Sequence, residues 1–334
     1  MEKIDFVILW VDGNDEKWLK EKNKYKKEIT GEDISNNVNR FRDWDLLRYW
    51  FRGVEKYALW VNKIHFVTYG HLPEWLDTTN PKLNIVKHED FIPKEYLPTF
   101  NSNVIQYFLN RIDGITDRFV MFDDDQFILK NVKETDFFKG NKICDMYGET
   151  ANFTSISGDV YPHCILNNMQ CINKHYNKRK IYKKHLFKYI NIKYGISNNI
   201  RTLLLTPWSY FVGIYSPHIC QAYTKRHYDI FWKYCENELK ENCNNKFRER
   251  SDLSTFLIRY IELLEGDFVP RNHKFGRRCN LGKENSKICK MIEKQKYSVL
   301  CINDSDITID FEKTQKELKD SFETILPDKS TFEK

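Results

Sequence analysis

The chain holds no run of about 18 apolar residues, which excludes an ordinary membrane-spanning helix. Its nine cysteines fall without any C-x-x-C pair, and Cys and His do not cluster along the chain. That argues against a zinc site or a disulfide framework and fits reduced thiols. No signal-peptide pattern precedes the strand-like run that Met1-Glu2-Lys3-Ile4-Asp5-Phe6 opens, so a cytoplasmic location is expected. Positive charge is in only modest excess, +6 over 334 residues, so no nucleic-acid partner is expected. No internal repeat is present.

Hydrophobic residues make up 41% of the chain and aromatics 15%, enough for a substantial folded core. Three short apolar runs end abruptly in acids. Ile4 to Val11 leads into Asp12-Gly13; Phe119-Val120-Met121-Phe122 into Asp123-Asp124-Asp125; Val299-Leu300-Cys301-Ile302 into Asn303-Asp304-Ser305-Asp306. Such runs read as buried strands whose last residues leave the sheet. Lys63–Tyr69 and Leu83–Val86 are further strands, and Lys142–Tyr147 reads as an edge strand. The span 44–58 carries an apolar helical stripe of Leu47, Trp50, Phe51, Val54 and Ala58. Alternating strand and helix predicts an α/β fold, a mostly parallel doubly wound sheet over 1–164. Residues 165–295 read as a helical insertion with helices at 221–241 and 252–265. In 296–334 a strand at 297–302 is expected to rejoin the first sheet, followed by a helix at 310–326 burying Phe311, Leu318, Phe322 and Ile325.

Crowded carboxylates at strand ends repel one another unless a cation or proton neutralises them. In open α/β sheets those ends are also where ligands bind. Oxygen ligands from two such ends suit Mg²⁺ or Mn²⁺ bound to a substrate phosphate; two unrelated acidic loops are the alternative. Arg48 and Arg52, one helical turn apart after Arg40, Arg42 and Asp43, suggest a guanidinium fork for a pyrophosphate, or else a solvated helix face. The span 173–194 is rich in Lys and Arg and has no acid. It offers a peripheral contact with the inner face of the cell membrane, with a solvated basic face as the alternative.

Four separated blocks resemble the Stealth family of sugar-phosphate transferases, enzymes of bacterial capsule and surface-polysaccharide synthesis. Animal relatives include the lysosomal-enzyme N-acetylglucosamine-1-phosphotransferase. The first block is Ile4-Asp5-Phe6-Val7-Ile8-Leu9-Trp10-Val11-Asp12-Gly13. The second runs from Arg40-Phe41-Arg42-Asp43 through Arg48–Tyr57, His88-Glu89-Asp90 and Leu97–Asn103 to Asp123-Asp124-Asp125. Pro217-His218 with Lys246-Phe247-Arg248 forms the third, and Cys301-Ile302-Asn303-Asp304 with the trailing helix and Leu326–Glu333 the fourth. Asp123 departs from the family, which commonly has Asn before its two acids.

The resemblance implies a glycosyltransferase-A-like sheet that binds a UDP-sugar donor. It also implies transfer of sugar-1-phosphate to a hydroxyl of an oligosaccharide or lipid-linked glycan acceptor, with release of UMP. By alignment Asp124 and Asp125 would hold the metal with Asn303 and Asp304. His218, Arg248 and Asp125 would be catalytic, and Asp12, Gly13, Arg42, Asp43, Arg48, Asn101 and Ser102 would contact donor and phosphate. A conventional UDP-sugar glycosyltransferase that releases UDP would need the same metal on the same diphosphate. A non-catalytic polyanion or membrane binder is the third reading, and it leaves the acidic strand ends unexplained.

Overall fold

The structure is a computed structural model that describes residues 2–26, 43–153, 159–304 and 310–334. Eleven strands are defined among them: β1 Ile4–Leu9, β2 Ile64–Thr68, β3 Leu83–Lys87, β4 Arg118–Phe122, β5 Gln126–Ile128, β6 Phe138–Lys139, β7 Lys142–Asp145, β8 Gln221–Thr224, β9 Phe268–Pro270, β10 Gly276–Asn280 and β11 Val299–Asn303. The main sheet has the order β3-β2-β1-β4-β8. Its first four strands are parallel, as the apolar runs predict, and β8 is antiparallel to β4. Phe6, Val7, Ile8 and β4 are fully buried, with Phe6 and Trp50 both packed against Phe122 at ring distances of 4.9 and 5.5 Å.

Four expectations about these elements are corrected. The late strand β11 does not rejoin the main sheet. It lies between β10, parallel, and β5, antiparallel, in a separate three-stranded sheet. The free edge of β4 is already taken by β8, whereas the chain turns back immediately after the acids, with Gln126 N donating to Asp123 O at 3.2 Å, and offers β5 as a partner. The region 165–295 is also more than a helical insertion, since it supplies β8, β9 and β10. Within the expected 221–241 helix, the first four residues form β8. Lys142–Asp145 is the central strand of the small β6-β7-β9 sheet, not an edge.

The helix Leu47–Tyr57 packs on β5 at Gly53, where a Cβ would come within 2.9 Å of Ile128 O. The final helix Phe311–Ile325 stacks Phe322 on Tyr49 and packs it, tilted, against Phe127, at ring distances of 5.1 and 4.8 Å. Its Phe311 is half-buried against Trp44, not buried as expected. Arg52 is no part of a ligand fork. It is buried, its Nε and Nη2 bind the two Glu333 oxygens at 2.8 and 2.9 Å, and Nη1 reaches Glu323 and Leu326 O. The C-terminal segment consumes that guanidinium. Cys171 and Cys235 are joined as a disulfide, correcting the expectation of wholly reduced thiols. They lie 64 residues apart, Cys171 on the helix Tyr161–His175 and Cys235 just past the helix Lys225–Tyr234, so spacing gave no signal.

His88, at the end of β3, is buried, and its Nδ1 has no hydrogen-bond partner. Burial, with a smaller contribution from His71, pushes its pKa down to about 4. The unfolded chain therefore takes up a proton first, near pH 6.5, and stability present above that pH is lost as pH falls toward 4. At 1.36 kcal/mol per pKa unit the loss is roughly 3 kcal/mol. Urea unfolding of His88→Gln should lack this acid-side slope; a variant that keeps it would show that other groups carry it.

Candidate active site

β1 is flanked by β2 on one side and β4 on the other, so chain connections diverge around it. Such a switch point opens a crevice at the carboxyl ends of the strands. β1 and β4 are parallel in register up to Ile8 opposite Phe122, so both leave the sheet at that same end. There β1 is followed by Asp12-Gly13 and β4 by the acidic triplet. Because β8 is antiparallel to β4, with Gln221 opposite Met121, its start lies at the same end and brings His218 to the acids. From the second sheet, β11 pairs Cys301 with Gln126, and Ile302 N donates to Asp125 O at 2.8 Å. The two acidic tips, far apart in sequence, therefore meet.

The three carboxylates have different surroundings. Asp123 receives amide hydrogens from Gln126 at 3.1 Å and Gln106 at 3.3 Å, and Gln106 is itself fixed by the Thr255 hydroxyl. Asp124 is exposed at the tip, yet the protein crowded around it still desolvates its carboxyl. Asp125 receives the Cys301 thiol on Oδ2 at 3.2 Å, while its buried Oδ1 has no partner. Ligand atoms of Asp125, His218 and Cys301 lie within 4.8 Å of one another. His218 has a φ of +48°, in the left-handed region, a conformation that a neighbouring structure must enforce on a residue with a Cβ.

Desolvation and the charges of Asp125, Asp123 and Asp43 raise Asp124 well above the usual carboxylate range. Asp123 is raised by desolvation and Asp125, against opposing pulls from His218 and Arg248. Asp43 is raised by desolvation and by Asp45 and Asp12, although a backbone N–H opposes this. Burial and Asp125 together hold the Cys301 thiol protonated. An orphaned carboxylate oxygen among acids that resist ionisation is an arrangement a divalent cation fits. Cys301 and His218, dispersed in sequence, stand beside these oxygens, but the thiol keeps its proton and donates it to Asp125, so the oxygens remain the available ligands.

The remaining sequence candidates divide. Asp12 accepts from Asn14 N through Oδ1, and its own backbone N–H donates to His71 Nε2 at 2.7 Å; Gly13 follows in the same turn. Asp43 is close enough to Asp12 and Asp124 to share their field. Arg48 faces Asp45 at 3.5 Å and Trp75, with its buried Nε unpartnered. Ser102 Oγ accepts from Arg248 Nε at 3.0 Å, and from Nη2 as well. Asn101 is corrected from ligand contact to scaffold: it is fully buried, and its amide donates to Asp252 and Phe247 O while its oxygen caps Asn103 N. That scaffold holds the segment carrying Arg248. Asn303 Nδ2 donates to Asn280 and to Asp304 O, and Asp304 accepts from Trp44 Nε1 at 3.2 Å. Arg42, like Arg40, lies outside the described residues.

Sequence reasoning missed Cys301, Gln106 and His71. For Cys301 a signal existed: it stands two residues before Asn303 on one strand, hence on the same face. Gln106 and His71 carried none.

Comparison with known proteins bears on the same residues. The pattern of Stealth protein CR1, conserved region 1, matches residues 2–30, and that of Stealth protein CR2, conserved region 2, matches 40–146. The chain is 40% identical over 340 residues, 100% of its length and 99% of the relative's, to a capsular polysaccharide phosphotransferase WcwK of Streptococcus pneumoniae. It is 35% identical, over 99% of its length and 96% of the relative's, to the exopolysaccharide phosphotransferase cps2G of Lactiplantibacillus plantarum. Among solved structures, the galactosyltransferase LgtC in complex with donor and acceptor sugar analogs covers 95% of both chains at 10% identity, but its TM-score of 0.35 is too low to carry an argument. End-to-end identity at this level with phosphotransferases, together with both conserved regions, means that the chain belongs to the Stealth family.

Proposed function

We propose that the protein transfers a hexose-1-phosphate or N-acetylhexosamine-1-phosphate from a UDP-sugar to a hydroxyl of a glycan acceptor, in capsular or surface-polysaccharide synthesis. The observation that carries this reading is the meeting of the Asp123–Asp125 tip with the β11 tip and His218 at one crevice. Kinship with capsular and exopolysaccharide phosphotransferases supports phosphoryl transfer as the chemistry.

In the proposed reaction the acceptor oxygen attacks the β-phosphorus of the donor. A new P–O bond forms, the bond to the bridging oxygen breaks, and UMP leaves with the electron pair. Charge then grows on the phosphoryl oxygens and the departing phosphate. His218 takes the acceptor proton, and the adjacent Asp125 carboxylate stabilises the imidazolium that results. Arg248, held in place by Ser102, presents its guanidinium to the phosphoryl oxygens. Asp12-Gly13 borders the nucleotide, with Asp43 and Arg48 along the same wall. A divalent cation on Asp125 and Asp124, with the Asn303-Asp304 tip, would neutralise the diphosphate; Mg²⁺ and Mn²⁺ both suit these oxygen ligands.

The leaving nucleotide tests the proposal. Incubation with a UDP-sugar and a glycan acceptor should yield UMP and a phosphodiester resonance in the ³¹P spectrum of the product. Release of UDP with no phosphorus in the product would make the protein a conventional glycosyltransferase instead.

A further inference from the structure

The helix Ile196–Leu205 is turned inside out relative to a normal surface helix. Its polar side faces the protein: Thr202 is 1% exposed and accepts from Glu149 N at 3.0 Å, and Arg201 Nε donates to Glu149 O at 2.8 Å. Its apolar side faces water: Ile196, Ile200, Leu203 and Leu204 are 80, 51, 54 and 67% exposed. Their spacing of i, i+4, i+7 and i+8 makes one continuous stripe. Trp208 and Tyr210, exposed as well, continue the chain beyond it. An uncovered aliphatic stripe of this kind calls for an apolar partner.

The preceding helix Lys178–Tyr189, broken at His185, is tied to both halves of this helix. Lys178 Nζ donates to Leu205 O at 2.7 Å, and Asn191 and Asn199 exchange hydrogen bonds at 3.1 and 2.8 Å. Its Arg179, Lys180, Lys183 and Lys184 are exposed. The sequence contains no acid anywhere from 160 to 228. We infer that this helical hairpin seats the protein on an anionic lipid surface, its aliphatic stripe entering the headgroup boundary and its cations meeting the lipid charge. A second copy of the chain is a poor occupant, because a two-fold interface would set like charges against each other. Exposed Trp and Tyr beside aliphatic and basic residues are the composition that partitions to a membrane interface.

Co-sedimentation of the full chain with vesicles tests this. Phosphatidylcholine vesicles containing phosphatidylglycerol should retain the protein, pure phosphatidylcholine should not, and added salt should weaken retention. Ile200→Ser/Leu204→Ser and, separately, Lys183→Glu/Lys184→Glu should each lower the partition coefficient by about tenfold or more. Because these side chains point to solvent, both variants should keep the wild-type circular dichroism and turnover on a soluble acceptor. Failure of the wild type to bind, or binding indifferent to both pairs of substitutions, would overturn the inference. So would a wild-type dimer, seen by light scattering, that Ile200→Ser/Leu204→Ser dissociates.

Discussion

Asp125→Asn should lower kcat by about 10³-fold while leaving the protein folded and no less stable. The carboxylate lies where three functions converge: its Oδ1 has no protein partner, its backbone oxygen anchors β11, and its side chain neighbours His218. Asparagine keeps the shape and can still accept the Cys301 thiol, so only the charge is withdrawn. The stability expectation comes from Asp124, whose pKa is raised by desolvation and, next, by Asp125. A carboxyl whose folded pKa lies above its unfolded one costs stability at neutral pH and regains it as pH falls through the folded value. Removing the adjacent charge relieves that cost. A divalent cation relieves it in the wild type, so Mn²⁺ should raise the wild-type Tm and leave Asp125→Asn nearly unmoved. Equal Tm shifts in the two proteins would remove Asp125 from the metal site, whatever the activity does.

Much of this site was legible because strand ends announce themselves. β1 after its buried Asp5, β4 after Arg118, and β11 are apolar runs that stop at acids, the pattern of a buried strand leaving its sheet. Their meeting was not legible. It depends on β5, three residues long and placed immediately after the triplet, and on β8, four residues that run straight into a helix. Neither is long enough to show a period of two. His218 became a candidate through the family pattern alone; its position follows from β8 being antiparallel. Arg52 misled for a physical reason. Two arginines a turn apart look alike in sequence whether they await a phosphate or a carboxylate, and the carboxylate was Glu333, supplied by the far end of the chain. Asn101 misled in the same way, since an amide that caps a helix and one that binds a sugar have the same spelling.

The largest expected loss of stability comes from a residue far from the acids. Arg259 is fully buried on the helix Phe256–Glu265. Its Nε donates to Asp145 Oδ2 at 2.6 Å, Nη2 to Met146 O at 2.7 Å and Nη1 to Tyr215 O at 2.9 Å. One guanidinium thus ties the end of β7 to the segment that leads through Ser216 and Pro217 to His218. Arg259→Met should destabilise the protein by about 3 kcal/mol, the low end for breaking a buried ion pair, because Arg271 remains 3.5 Å from Asp145. Urea unfolding measures that loss. Arg259→Met/Asp145→Leu should recover only part of it: no charge of that pair is stranded, but the buried Arg271 loses its carboxylate. Turnover should not recover, because the Tyr215 carbonyl still lacks its donor and the left-handed turn at His218 loses its support. A double variant restored in both stability and kcat would show that the guanidinium serves the core alone and that the His218 turn is held by other contacts.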